Sequence, residues 1–311
     1  MKSKYRAALP QLTGGSFLGY EGMATDLIFN HGVDVSDLLA EFTLLESAEG
    51  RERFYGYCRD LIALGNKYNH GVILESPTWS GNRDRGAQIG YSPEQLSELN
   101  RLGIDMVSQA REEFGDMPTV LSCSVGPRDD GYKPKAFMSS LEAEDYHSEQ
   151  INWVVDTKVD MVNAITLCYP EEAIGIVNST RKVGLPCVIG FTVETDGRLP
   201  NGESLEVAIN NVDNATNGSA SYFVINCAHP DHFTNVLVDA DWMQRLKGVI
   251  VNASRCSHAE LDGTEELDDG DPVELGNQVA DIHKKFPQIS VLGGCCGTDF
   301  RHLEKIAELC R

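Results

Sequence analysis

Apolar positions follow two alternating patterns along the chain. Short, nearly continuous apolar runs recur at Ser16–Tyr20, Gly71–Ser76, Thr119–Val125, Met161–Leu167, Cys187–Thr192, Tyr222–Cys227, Gly248–Asn252 and Ile289–Leu292. Runs this brief, with no polar face, read as strands covered on both sides. Between them lie longer stretches in which apolar residues return at helical spacing: Arg51–Asn69, Pro93–Phe114, Leu141–Lys158, Glu171–Val183, Ser204–Thr216 and Asp231–Leu246. Ser92-Pro93-Glu94-Gln95 supplies a capping serine, a proline in the first turn and a glutamine at the box position, and Asp271-Pro272 repeats the helix-start signal.

Eight strand-then-helix units predict an α/β fold: a parallel sheet closed as a (β/α)8 TIM barrel, with the chain 1–311 as a single domain. Neither a Gly-x-Gly-x-x-Gly turn nor a Gly-x-x-x-x-Gly-Lys loop is present, so an open nucleotide-binding sheet loses its main support. The barrel reading also says where to look for chemistry, because such folds carry their sites at the C-terminal ends of the strands.

Charge narrows the choice of partners. A net charge of −21 repels phosphate backbones and anionic bilayers, so neither nucleic acid nor membrane is expected, and small molecules are. The basic start Met1-Lys2-Ser3-Lys4-Tyr5-Arg6 has no apolar signal segment behind it, and no apolar run approaches membrane-spanning length. A cytoplasmic location is the expectation. Nine cysteines scattered over 311 residues are unlike a secreted disulfide framework and stay free in a reducing compartment. The oligomeric state is left open, homo-oligomer included.

The cysteines carry the strongest chemical signal. Gly293-Gly294-Cys295-Cys296-Gly297 follows the last apolar run and reads as a glycine-rich turn. Adjacent cysteines make a strained disulfide, but two thiolates turned to one point can share a metal ion, and flanking glycines admit the backbone angles needed. Cys227, ending the sixth run, offers a third sulfur at the same end of the barrel. Three thiolates leave tetrahedral Zn2+ with an open position, as in a catalytic site. Cys168, Cys256, His229 and His258 also follow strands at that end and remain alternatives to any of the three. Cys58, Cys123, Cys187 and Cys310 fall inside regular elements and read as core.

Two other groups lie at the active end. Arg83 or Arg85, near Trp79 after the second strand, suits a substrate carboxylate through paired hydrogen bonds, the alternative being a surface pair with Asp84. The acidic run Glu260, Asp262, Glu265, Glu266, Asp268, Asp269 and Asp271 lacks the spacing of a calcium loop and reads as a solvated loop beside the site.

Gly-Gly-Cys-Cys-Gly, Ile225-Asn226-Cys227, Ser124-Val125-Gly126-Pro127 and Met23-Ala24-Thr25-Asp26-Leu27 together resemble segments of the zinc-dependent homocysteine S-methyltransferases, in the same order and over nearly the whole chain. The resemblance implies a (β/α)8 barrel and zinc on Cys227, Cys295 and Cys296. It also implies methyl transfer from a sulfonium or quaternary ammonium donor to a thiol such as homocysteine, giving a thioether such as methionine. No catalytic residue is then expected beyond the zinc-activated substrate thiolate. Two positions depart from the family pattern. An Asp-Gly pair, whose aspartate helps hold the amino group of homocysteine, is replaced by Glu21-Gly22, and a Glu-Thr pair ending the fourth strand is replaced by Ile165-Thr166. Glu21, Glu75 and Glu194, with Thr166, are therefore the candidate substrate contacts, unless the acceptor lacks an amino-acid head. Tyr20, Trp79 and Tyr169 are candidates to face the donor's positive charge. The competing readings are the homocysteine-type half of a corrinoid-dependent system and a non-catalytic zinc-binding barrel.

Overall fold

The structure, a computed structural model, describes residues 3–35, 37–261, 264 and 266–311. Met1 and Lys2 of the basic start, and Asp262 and Glu265 of the acidic run, lie outside these residues. The strands are β1 (Phe17–Tyr20), β2 (Gly71–Glu75), β3 (Thr119–Val125), β4 (Met161–Leu167), β5 (Cys187–Phe191), β6 (Tyr222–Ala228), β7 (Leu246–Val251) and β8 (Val291–Gly294). Each pairs in parallel with its neighbour in the chain, and β8 pairs with β1, closing the predicted barrel.

Helices ring the barrel: α1 (Met23–His31), α2 (Ala48–Tyr68), α3 (Arg83–Gln88), α4 (Pro93–Phe114), α5 (Ser140–Val154), α6 (Pro170–Lys182), α7 (Leu205–Thr216), α8 (Pro230–Phe233), α9 (His258–Leu261), α10 (Pro272–Lys285) and α11 (Phe300–Leu309). The predicted box at Ser92 forms, and Asp271 caps α10 by accepting from Val273 N and Glu274 N. The closed sheet divides the apolar interior in two. Outward strand residues such as Leu18, Leu74 and Leu121 pack on the helices, while Phe17, Ile73, Val120, Met161, Val188, Tyr222 and Val291 fill the barrel.

Two sequence expectations need correction. Asp231–Leu246 is not one helix: α8 gives way to 3-10 turns at Thr234–Val236 and Asp241–Gln244, and β7 begins at Leu246. Thr234, Asn235, Val236, Val238 and Asp239 are weak helix formers, and the Thr234 hydroxyl donates back to Pro230 O at 2.7 Å, favouring a break. Gly293 and Gly294 are strand residues rather than a turn, paired with Gly19 and Tyr20 of β1. Their role is room, not unusual angles: a Cβ on Gly293 would collide with the Gly19 carbonyl, and only Gly297 of this motif has a positive φ, +79°.

Candidate active site at the C-terminal mouth

The Cys227, Cys295 and Cys296 sulfurs all lie within 4.8 Å of one another, with Cys227 Sγ 3.5 Å from Cys296 Sγ. Among the described residues this is the one cluster of three such donors close enough to share an ion. Cys168 is buried in the wall, Cys256 is exposed with Sγ 4.0 Å from Asp268 Oδ2, and His229 Nδ1 accepts from Asp231 N. His258 stays near the mouth, stacked on Tyr132 with ring centres 3.6 Å apart.

Local backbone geometry places the sulfurs. Cys227 has φ +55°, an uncommon state for a non-glycine residue that costs on the order of 1–3 kcal/mol. Thr166, at the end of β4, also has a positive φ, +63°. One buried side chain joins the two kinks: Asn226 Oδ1 accepts from Thr166 N, and Asn226 Nδ2 donates to Thr166 Oγ1, both at 2.9 Å. The Cys227 carbonyl is held by the Tyr132 hydroxyl at 2.9 Å and the Thr192 hydroxyl at 3.2 Å. Just past β8, Cys295 N donates to Val251 O at 2.8 Å and Gly297 N to Thr25 Oγ1 at 3.0 Å.

The thiol set suits a dication. Contact with the Cys227 and then the Cys296 sulfur, together with burial, holds the Cys295 thiol well above its ordinary pKa, while contact with Cys227 and then Cys295 draws Cys296 well below its own. Three thiolates this close repel one another unless a cation lies between them, and zinc is the common tetrahedral partner of thiolate sets.

Two carboxylates face the same space. Asn163 Nδ2 donates to Glu21 Oε1 at 3.1 Å and to Glu75 Oε1 at 2.9 Å. Glu21 Oε2, Glu75 Oε2 and Asn163 Oδ1 are buried without partners. Burial, then the charge of Glu75, raises the Glu21 carboxyl well above the usual range, and burial lifts Glu75 to about 7. Thr166 lines the same cavity. Glu194 does not; it borders a small side pocket with Thr195 and His232. The cavity measures about 580 Å³ and reaches from the cysteines to an apolar arm formed by Met23, Phe29, Leu39, Phe54 and Leu61.

Of the three candidate rings, Tyr20 and Trp79 line this cavity, whereas Tyr169 packs on Phe137 with ring centres 4.8 Å apart. Arg85 lines it too, while Arg83 stays outside, paired with Asp84 and Glu149. Three site residues escaped the sequence reading. Asn163 had a signal, being a polar residue inside a buried run. Tyr132 and Glu41 had none, because they lie in stretches without periodicity. Glu41 borders the apolar arm, and burial pushes its carboxyl up to about 7, partly offset by a hydrogen bond from the Ala24 backbone.

Comparison with known proteins agrees with this architecture. The homocysteine methyltransferase MmuM from Escherichia coli superposes in its metallated form with a TM-score of 0.67 at 18% identity, covering 96% of each chain. Its oxidised form gives 0.69 at 16% identity over 94% of each chain, and its apo form 0.63 at 16% over 94% of this chain and 95% of that one. At such identities the likeness concerns the fold. The sequence pattern goes further, matching the family described as homocysteine S-methyltransferase from residue 22 to residue 310. That span runs from the start of α1 to the end of α11 and takes in all three clustered cysteines, and on it the chain belongs to the homocysteine S-methyltransferase family.

Proposed function

We propose that this chain is a zinc-dependent S-methyltransferase that moves a methyl group from a sulfonium or quaternary ammonium donor to homocysteine, giving methionine. Residues 1–311 act as one unit, in a reducing, cytoplasmic setting that keeps the thiols free. The observation that carries the reading is the convergence of three sulfurs, from the ends of β6 and β8, on a cavity of small-molecule size. Its 580 Å³ falls inside the roughly 300–1,000 Å³ usual for such sites.

Cys227, Cys295 and Cys296 would hold the zinc. When bound, zinc supplies a Lewis acid that keeps the acceptor thiol, ordinarily of pKa about 8.5, ionised near neutrality. Glu21 and Glu75 offer their unpartnered Oε2 atoms to the acceptor's ammonium, Asn163 holding the opposite oxygens in place. Thr166 borders the acceptor. Glu194, set in the side pocket, has no part in that contact. The acceptor sulfur forms a bond to the methyl carbon while the donor's C–S or C–N bond breaks, and the bonding pair leaves with the donor as a neutral thioether or amine. Tyr20 and Trp79 line the cavity in which the donor's positive charge is held before transfer. Anion and cation combine to neutral products, so a cavity that excludes water favours the step.

The test is methionine formation from homocysteine with a panel of sulfonium and betaine donors, before and after zinc chelation. Turnover that chelation abolishes and zinc restores supports the reading. Undiminished turnover by metal-free protein rejects it.

A further inference from the structure

We propose that Arg85, laid over Trp79, is the receptor for a substrate carboxylate, and that it makes the cavity selective for amino-acid-like ligands. This rests on the methyl-transfer reading and adds to it a recognition element. Arg85 lies in α3, whose first turn is held by Asn82 Oδ1 accepting from Arg85 N at 3.1 Å. Its side chain turns inward, leaving the residue 8% exposed. The guanidinium carbon sits 4.5 Å from the Trp79 ring centre, and Trp79 is itself fixed by Nε1 donating to Ile165 O at 3.2 Å. Arg85 Nη2 donates to the Asp129 carbonyl, and Nε is buried without a partner. Among the described residues no carboxylate forms an ion pair with it. Asp130, nearby, accepts from Tyr132 N at 2.7 Å and Lys133 N at 2.8 Å.

A buried guanidinium with no carboxylate paired to it is costly, and Asp130 and Asp129 lend Arg85 only longer-range charge. Arg111, whose side chain is 10% exposed, meets the fully buried Asp160 at 2.7 Å, which shows how this fold ordinarily treats such a group. Arg85 is also the sole Lys or Arg lining the cavity among the described residues, against Glu21, Glu41, Glu75, Asp130, Glu266 and Asp268. A ligand carboxylate supplies the direct ion pair that these acids do not. The planar fork, with its face on the indole, presents Nε to it in the paired geometry carboxylates prefer. Arg85 follows β2 and its anchor Asp129 follows β3, whereas Cys227 lies in β6 and Cys295 and Cys296 follow β8. The carboxylate is thus received across the mouth from the sulfurs. Homocysteine carries one, and so do amino-acid donors such as S-methylmethionine, so the test must tell acceptor from donor.

Calorimetric binding to the zinc-loaded protein separates these sources. Homocysteine is compared with 3-aminopropane-1-thiol, and S-methylmethionine with (3-aminopropyl)dimethylsulfonium, which lack the carboxylate. For at least one pair the wild type is expected to prefer the carboxylate-bearing member by about tenfold or more. Arg85→Ala should bring that ratio close to one by weakening the carboxylate-bearing member alone, and Arg85→Lys should restore part of it. The responding pair identifies the substrate held. Should Arg85→Ala fail to fold, Arg85→Gln takes its place. Equal weakening of both members, an unchanged ratio in the variant, or no preference in the wild type overturns the assignment. Methyl transfer measured in parallel keeps the two readings apart, since absent turnover with an intact carboxylate preference rejects the reaction and leaves the Arg85 site standing.

Discussion

The two ends of the barrel are built from the same eight strands and obey different rules. At the N-terminal floor, polar groups are matched. Asp160 accepts from Tyr5 N, Arg111 Nη1 and Leu121 N, Arg6 meets the carbonyls of Val155, Thr157 and Val159, and Gln11 Nε2 reaches Met161 Sδ and Tyr222 Oη. Among the described residues Gln11 Oε1 alone is left unpaired in that plug. At the mouth, Glu21, Glu75, Asn163 and Arg85 each have a buried polar atom without a partner, and Thr166 and Cys227 hold uncommon backbone angles. Unpaired groups and strain cost stability; others are scattered through the molecule, at His147, Asn178 and Trp242 among them, but at the mouth Glu21, Glu75, Arg85, Thr166 and Cys227 border one cavity, as a ligand site requires.

That contrast can be broken or sharpened by experiment. The largest effect belongs to Cys295→Ser, which should lower turnover at least about 10³-fold and remove bound zinc, read by methyl-transfer assay and elemental analysis. At the floor, Asp160→Ala should leave the buried Arg111 unpaired and destabilise the fold by about 3–5 kcal/mol in denaturant titration, with activity per folded molecule within about twofold of wild type. A folded but inactive Asp160 variant would break the division between the two ends.

Glu75→Gln tests the mouth by pH. The folded carboxyl titrates at about 7, above its unfolded value near 4.5, so the native state binds more protons between them and stability falls as pH rises across that window. The variant should therefore match wild type at pH 4 and exceed it by about 1–3 kcal/mol at pH 8, while its KM for homocysteine rises about tenfold. Asn226→Ala, which unties Cys227 from Thr166, should weaken zinc binding by about tenfold in competition with a chelator. Smallest of all, Lys158→Ala removes an exposed pair with Glu112 and should move stability by less than about 0.5 kcal/mol.

The same contrast explains what the sequence disclosed. Strands β3 and β4 were readable to the residue because barrel strands are buried on both faces, and that leaves an unbroken apolar run. The cysteines stood out because few residues do their chemistry. Glu21 and Glu75 were visible as acids at strand ends, but their union through Asn163 was not, since it joins residues 142 and 88 positions apart. Tyr132, reaching the Cys227 carbonyl from a loop, was hidden for the same reason. Arg83 and Arg85 looked alike in sequence; only packing turned one toward solvent and the other toward Trp79.

Asn226 has a mechanical meaning beyond its hydrogen bonds. It spans from β6 across β5 to β4, so the turn presenting a sulfur and the turn bordering the substrate behave as one lever, and neither can relax alone. On the proposed zinc reading, removing the metal should accordingly loosen the grip on the acceptor's head group, at a distance from the ion itself.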